Sequence, residues 1–372
     1  MSLTLLPLFV LGLALLVVGA DLLIRGASRL ALALGISPLV VGLTVVAYST
    51  SAPELAVSVS SATAGQPDLA IGNVIGSNIF NVLFILGIAS LLVPLVVARQ
   101  LIRLDVPVML AASIGLYVLG VDGNISRGDG IMLCASMLMY TGWMLYSSRR
   151  ESRAMQTDAA AAGELKRATA REYIRNLALL GIGVGALVLG AQWLVESATG
   201  FARAFGVSDL VIGLTIVAVG TSLPEVAASV VASLRRERDI AVGNAIGSNI
   251  SNILLVLALT AVVAPNGLPV PASALQFDLP VMIGAALACV PIFFTGKLIA
   301  RWEGALFLML YVLFTIYVFL SATQASILPE FQAALIFFVI PLVVATLLGT
   351  TLRAVWLERV STNSAIERHR NE

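Results

Sequence analysis

Gly42-Leu-Thr-Val-Val-Ala-Tyr-Ser-Thr-Ser-Ala-Pro-Glu54 returns 171 positions later as Gly213-Leu-Thr-Ile-Val-Ala-Val-Gly-Thr-Ser-Leu-Pro-Glu225, each copy setting an acid inside an apolar run. The same offset joins Gly72-Asn-Val-Ile-Gly-Ser-Asn-Ile-Phe-Asn81 to Gly243-Asn-Ala-Ile-Gly-Ser-Asn-Ile-Ser-Asn252, and Val18-Gly-Ala20 to Leu189-Gly-Ala191. One half of the chain reads as a copy of the other. The match continues with a drifting offset through Asp105-Val-Pro-Val-Met109 and Asp278-Leu-Pro-Val-Met282, then Asp129-Gly130 and Glu303-Gly304.

The residues around these motifs are 59% hydrophobic and only 12% charged, and the mean hydropathy is +0.99. A soluble fold of this length could not bury so much apolar surface. Apolar runs of roughly 17 to 25 residues, the length that crosses about 30 Å of hydrocarbon, recur along the chain. They are continuous rather than alternating, which excludes a closed β-barrel. The chain is therefore expected to be all-α and polytopic. Spans fall near 3–24, 37–62, 69–97, 105–121, 130–147, 174–195, 208–233, 240–264, 277–295, 303–321 and 328–351. The first run lacks a basic leader and a cleavage site, so it reads as a retained helix.

Loop charge tests that count of eleven. Twenty of the 22 basic residues fall in segments after odd-numbered spans, and only Arg127 and Arg203 fall on the other side. Lys and Arg mark the cytoplasmic face, so the N-terminus is expected outside and the C-terminus inside. The setting would be a cell (inner) membrane. Five spans per unit is an odd number, so the second unit must run through the bilayer in the opposite sense. The expected organisation is a first repeat over 1–147, a cytoplasmic linker over 148–173, an inverted second repeat over 174–321, an extra helix over 328–351 and a cytoplasmic tail over 352–372.

A carboxylate deep in a bilayer costs at least a few kcal/mol, so Glu54 and Glu225 need compensation. Pro53 and Pro224 cannot donate to their helices and leave backbone oxygens available nearby. Thr50 and Thr221 share the helical stripe of the acids, as do Ala47 and Ala218. On the following span, Asn73, Ser77 and Asn81 are spaced by four, as are Asn244, Ser248 and Asn252. Each half thus offers a carboxylate, hydroxyls, amide oxygens and freed carbonyls, and no nitrogen or sulfur ligand. That is calcium or sodium chemistry rather than zinc or copper chemistry. Small residues at Gly72, Gly76 and Ser77 also suit close helix packing. Asn73 and Asn244 fit a helix-joining role as well as a ligand role.

The paired Gly-x-Thr-x-x-Ala-x-x-Thr-Ser-x-Pro-Glu and Gly-Asn-x-x-Gly-Ser-Asn-x-x-Asn motifs resemble the α-repeats of the calcium/cation antiporter superfamily, in its sodium/calcium exchanger branch. The resemblance covers ten of the eleven spans. It implies a mid-membrane cluster built from Ala47, Thr50, Ser51, Glu54, Ser77 and Asn81 with Ala218, Thr221, Ser222, Glu225, Ser248 and Asn252. It also implies Ca2+ and Na+ as transported substrates, with no resident cofactor. Neutral Asn81 and Asn252 stand where some members carry an acid associated with potassium use. Gly76 and Gly247 stand where proton-coupled members show Glu. Sodium coupling is thus favoured over proton coupling, which remains the alternative, with Glu54 or Glu225 as proton carriers.

Other classes fit less well. An intramembrane hydrolase could use two acids, but the single histidine, His369, lies in the tail and the duplicated Asn and Ser ladders would be unexplained. A passive cation channel needs no inverted duplication. Cys134 and Cys289 sit in apolar runs and read as free buried thiols. The net charge of +1 points to no nucleic-acid partner, and nothing in the sequence points to a protein partner beyond the lipid bilayer.

Overall fold

The computed structural model describes residues 5–161, 169–205 and 218–353. It is predominantly helical. In chain order the elements are α1 (Leu5–Leu34), α2 (Pro38–Thr50), α3 (Ala52–Thr63), α4 (Pro67–Leu92), α5 (Leu101–Gly120), α6 (Arg127–Ala161) and α7 (Ala170–Ala204). After a one-turn helix at Ala218–Gly220 come α8 (Leu223–Leu234), α9 (Arg238–Val263), α10 (Ala274–Phe294), α11 (Arg301–Ala322) and α12 (Leu328–Arg353). Among the described residues eight of these are long and apolar enough to cross a membrane, and the α2–α3 pair, bent by 43°, makes a ninth if read as one span.

Three expectations change. The span expected over 37–62 is not straight: it breaks at Ser51, because Pro53 removes the amide that would continue the ladder. Helices α1 and α7 overrun their expected ends, so Arg25, Arg29 and Arg203 lie in helix rather than in loops. The polar stretch after 147 is helical to Ala161, in keeping with its Ala run. Of the span expected over 208–233, residues 208–217 lie outside the described residues.

The two central helices are α4 and α9, with 78% of each apolar window buried, against 6% in α11 and α12. In lipid, helices associate by close packing rather than by expelling water, which favours small residues at contacts. The α1–α7 pair shows this along its whole length. A Cβ on Gly12 would lie 2.9 Å from the Gly190 carbonyl oxygen, and one on Gly19 2.8 Å from that of Gly183. Gly26 continues the same seven-residue seam against the Asn176 carbonyl and Leu180 amide, both at 3.0 Å. This seam explains why α1 does not stop near 24.

Matching contacts recur across the two sequence copies. A Cβ on Gly304 of α11 would meet the Gly87 oxygen of α4 at 2.7 Å, and one on Gly130 of α6 would meet the Ala258 oxygen of α9 at 2.7 Å. Glycines 243 and 247 of α9 bring its backbone against Leu39 and Leu43 of α2, whereas close packing was expected at their copies Gly72 and Gly76. A Cβ at Gly72 or Gly76 meets nothing within 4 Å among the described residues. The turns between α3 and α4 and between α8 and α9 both pass through a left-handed residue, Gly65 at φ 78° and Arg236 at φ 64°.

Two short antiparallel ribbons close the arrangement. Strand β1 (Leu95–Val96) pairs with β4 (Leu298–Ile299), and β2 (Asn124–Ile125) pairs with β3 (Leu268–Pro269). Each ribbon joins a loop of one sequence copy to a loop of the other. Flanking backbone bonds repeat the match: Val97 donates to the Lys297 oxygen at 2.8 Å, and Val270 to the Gly123 oxygen at 2.8 Å. On the side of α1, Asp21 forms ion pairs with Arg25, at 2.8 Å, and with Arg235 at the end of α8.

Candidate cation-binding site

Both acids sit just past a helix break. Ser51 (φ −80°, ψ 6°) and Ser222 (φ −89°, ψ 5°) leave helical geometry, and Glu54 and Glu225 then fall in the first turns of α3 and α8. A helix start carries partial positive charge, worth about 0.3–1 kcal/mol to a nearby carboxylate and up to ~2 when partly buried. Glu54 is fully buried and Glu225 is 1% exposed.

The two halves reach across to each other's acid. Ser222 Oγ donates to Glu54 Oε1 at 3.0 Å, and Ser51 Oγ donates to Glu225 Oε1 at 3.2 Å. A carboxylate can only accept, so each serine spends its single hydrogen there. Ser222 Oγ also lies 3.1 Å from Ser77 Oγ, and Ser251 Oγ lies 3.4 Å from Ser51 Oγ and 3.1 Å from the Ser248 carbonyl oxygen.

What remains is a set of oxygens with nothing to hold. Among the described residues Glu54 Oε2, Glu225 Oε2 and Ser248 Oγ are buried and meet no hydrogen-bond partner, and the same holds for both polar atoms of Asn81 and of Asn252. A hydroxyl-to-carboxylate bond contributes about 1.5–3 kcal/mol, against a burial cost of at least about 3 kcal/mol for an intramembrane carboxylate. One hydroxyl and a helix start roughly offset that cost for one oxygen of each acid. The second oxygen of each stays uncompensated.

Asn81 and Asn252 each open a π-helical segment, Asn81–Leu86 and Asn252–Leu257, a local widening common at functional sites. The segment from Asn81 packs against α8, which carries Glu225, and that from Asn252 packs against α3, which carries Glu54. Ala47 is buried at the site end of α2, one turn before the break. Ala218 heads the short helix before Ser222. The structure thus links Thr50, Ser51, Glu54, Ser77, Thr221, Ser222 and Glu225 by hydrogen bonds and sets the two Asn81/Asn252 segments against the acid-bearing helices. The polar groups gathered at the two breaks are two acids with neutral hydroxyls and amides, donors of the kind that suit a hard cation.

The sequence analysis passed over several members of this cluster. Ser58 and Ser229 receive the amide hydrogens of Asn73 and Asn244 at 3.0 and 2.9 Å. Asn78 and Asn249 donate to the sulfurs of Met282 and Met109 at 3.5 and 3.3 Å. Ser58/Ser229 and Asn78/Asn249 obey the 171-residue offset and Met109/Met282 the drifted offset of 173, and that duplication was the available signal. Ser251 has no such signal, because its counterpart is Phe80.

Comparison with known proteins agrees with this geometry. A family described as sodium/calcium exchanger protein matches residues 4–146 and 175–320. The chain is 38% identical over 309 residues to a putative antiporter, CaxA, of Alkalimonas amylolytica, covering 82% of this chain and 96% of that protein. It is 34% identical over 343 residues to the sodium/calcium exchanger MaX1 of Methanosarcina acetivorans, covering 84% of this chain and 97% of that one. A solved structure of the sodium-calcium exchanger NCX_Mj superposes with a TM-score of 0.73 at 32% identity, over 84% of this chain and 98% of that one. The fold and site define a multi-pass membrane cation antiporter. This chain belongs to the sodium/calcium exchanger protein family.

Proposed function

We propose that the protein exchanges Ca2+ for Na+ by alternating access at the cluster around Glu54 and Glu225. The observation that carries this reading is the reciprocal reach of Ser222 to Glu54 and Ser51 to Glu225, which leaves one bare oxygen on each acid. Ala47, Thr50, Ser51, Glu54, Ser77 and Asn81, with Ala218, Thr221, Ser222, Glu225, Ser248 and Asn252, then supply the ligands. Two carboxylates balance one Ca2+ or a small set of Na+ ions, and hardly both at once. Competition for one pair of acids makes exchange obligatory, and the empty site resists crossing because its charge is uncompensated.

The same reading takes the chain as two inverted five-helix repeats, 1–147 and 174–321, joined by a cytoplasmic linker over 148–173 and followed by an eleventh helix over 328–351 and a cytoplasmic tail, with the N-terminus outside. The ribbons support it. Eleven spans place residues 95–96 and 298–299 on one face and 124–125 and 268–269 on the other, as β1–β4 and β2–β3 pairing requires. An inverted repeat has two near-equivalent conformations, one open to each side. Helices α1 and α7, locked through glycine, slide as a pair against the rest.

Radioactive calcium uptake into proteoliposomes loaded with sodium tests the coupling, compared with vesicles holding only a pH gradient. Uptake is expected in the first. Uptake in the second alone would establish the proton-coupled alternative instead.

A further inference from the structure

Asn73 and Asn244 stand outside the twelve residues proposed as ligands, yet each bridges the two halves beside an acid. Asn73 Nδ2 donates to the Glu54 backbone oxygen at 3.2 Å and to Ser58 Oγ at 3.0 Å, while its Oδ1 accepts from Thr221 Oγ1 at 3.3 Å. Asn244 repeats the pattern: Nδ2 to the Glu225 oxygen at 3.3 Å and Ser229 Oγ at 2.9 Å, Oδ1 from Thr50 Oγ1 at 3.2 Å.

Proton counting fixes the direction of these bonds. A backbone carbonyl can only accept, so the amide nitrogen must face Glu54 and the amide oxygen must face Thr221. A flip would set oxygen against oxygen. Thr221 thus has Asn73 Oδ1 as an acceptor for its one hydrogen, and Thr50 has Asn244 Oδ1, while each threonine also lies beside the acid of the opposite half. A hydroxyl whose hydrogen is committed shows only lone pairs elsewhere, which is what a cation ligand must do.

The alternative destination of that hydrogen matters. Thr50 Oγ1 also lies 3.2 Å from the Ala47 carbonyl oxygen, the ordinary back-bond of a helical threonine. Without Asn244 the hydrogen is left to the Ala47 carbonyl or the Glu225 carboxylate. Either one engages an oxygen of the proposed ligand set.

We infer that Asn73 and Asn244 are positioning residues, each orienting the threonine hydroxyl of the opposite half so that Thr221 and Thr50 present oxygen lone pairs to the transported cation. The inference rests on the cation-site reading above. It also predicts a cross-wired dependence: Asn73, on α4 of the first half, acts through Thr221 of the second, not through Thr50 of its own.

A double-mutant cycle in Na+-loaded proteoliposomes tests this, with the half-saturating Ca2+ concentration for uptake as the readout. Asn73→Ala and Thr221→Val are each expected to raise it roughly tenfold, the equivalent of about 1.4 kcal/mol for a lost buried hydrogen bond. The double variant is expected to match Thr221→Val alone. Asn73→Ala with Thr50→Val is expected to multiply to roughly a hundredfold. Multiplying effects in the 73/221 pair, equal to those in the 73/50 pair, would show a merely structural role and overturn the inference. If Asn73→Ala does not fold, Asn73→Ser and the mirrored Asn244→Ala with Thr50→Val carry the same contrast. Glu54→Gln in the same assay separates the two readings: flux at the wild-type level there removes the cation site itself, whatever the cycle shows.

Discussion

Ser222 donates to Glu54 across 168 residues of chain, at 3.0 Å, and Ser51 does the same for Glu225 across 174 residues. Neither half completes its own acid. Each break in one half is shaped around the carboxylate of the other, so the cluster exists only where the two copies meet.

The acids should therefore be indispensable to exchange and dispensable to folding. Glu54→Gln and Glu225→Gln are each expected to abolish Na+-driven Ca2+ uptake while eluting as the wild-type protein in gel filtration, since a neutral amide costs less to bury than a carboxylate. Ser222→Ala and Ser51→Ala remove one charge-assisted bond worth about 1.5–3 kcal/mol. Each should weaken apparent Ca2+ affinity by roughly tenfold or more while leaving some flux.

The glycine seam predicts a packing defect with no direct touch on the ions. A Cβ at Gly183 would lie 2.6 Å from the Leu23 backbone nitrogen. Gly183→Val should destabilise the detergent-solubilised protein by about 1–3 kcal/mol through overpacking. Thermal unfolding checks this, with Gly181→Val as the control, because a Cβ there meets nothing within 4 Å.

Arg236 offers a gain rather than a loss. It holds φ 64° where its counterpart Gly65 holds φ 78°, and a side chain in left-handed geometry costs about 1–2 kcal/mol. Arg236→Gly should raise stability by about 0.5–1 kcal/mol after the extra flexibility of the unfolded glycine is counted. A lower denaturation midpoint would contradict it.

Accessibility labelling can read the topology. In a background free of Cys134 and Cys289, Asp122→Cys beside β2 should react with an impermeant maleimide added to intact cells. Arg301→Cys beside β4 should react only after permeabilisation. Equal labelling of both from outside would contradict the eleven-span orientation.

The membrane class and the acid-bearing motifs were legible because they depend on one-dimensional quantities: run length, loop charge and a fixed offset. Glu54 and Glu225 declared themselves as acids in apolar runs, and Thr50, Ser51 and their copies followed from the same phrase. The break at Ser51 was half legible, since Pro53 announced a lost hydrogen bond but not a change of direction. The overrun of α1 was hidden, because a hydropathy window ends at Arg25 while the Gly12, Gly19 and Gly26 seam continues to pack. The crossing of serines to opposite acids was hidden for a deeper reason. Sequence spacing describes neighbours within a helix, and these partners meet only through tertiary packing.

The two ribbons also say where the molecule has freedom. Backbone pairing of β1 with β4 and β2 with β3 ties the loops flanking α5, α10 and the ends of α4, α6, α9 and α11 into a frame clasped at both faces. Among the described residues no ribbon reaches α1 or α7. Among the described ion pairs, α1 is fastened to α8 through Asp21 and Arg235, a half-exposed contact worth about 0–1 kcal/mol. The frame is clasped by main chain and the α1–α7 pair is held to it by side chains. Thermal energy can undo the second without disturbing the first.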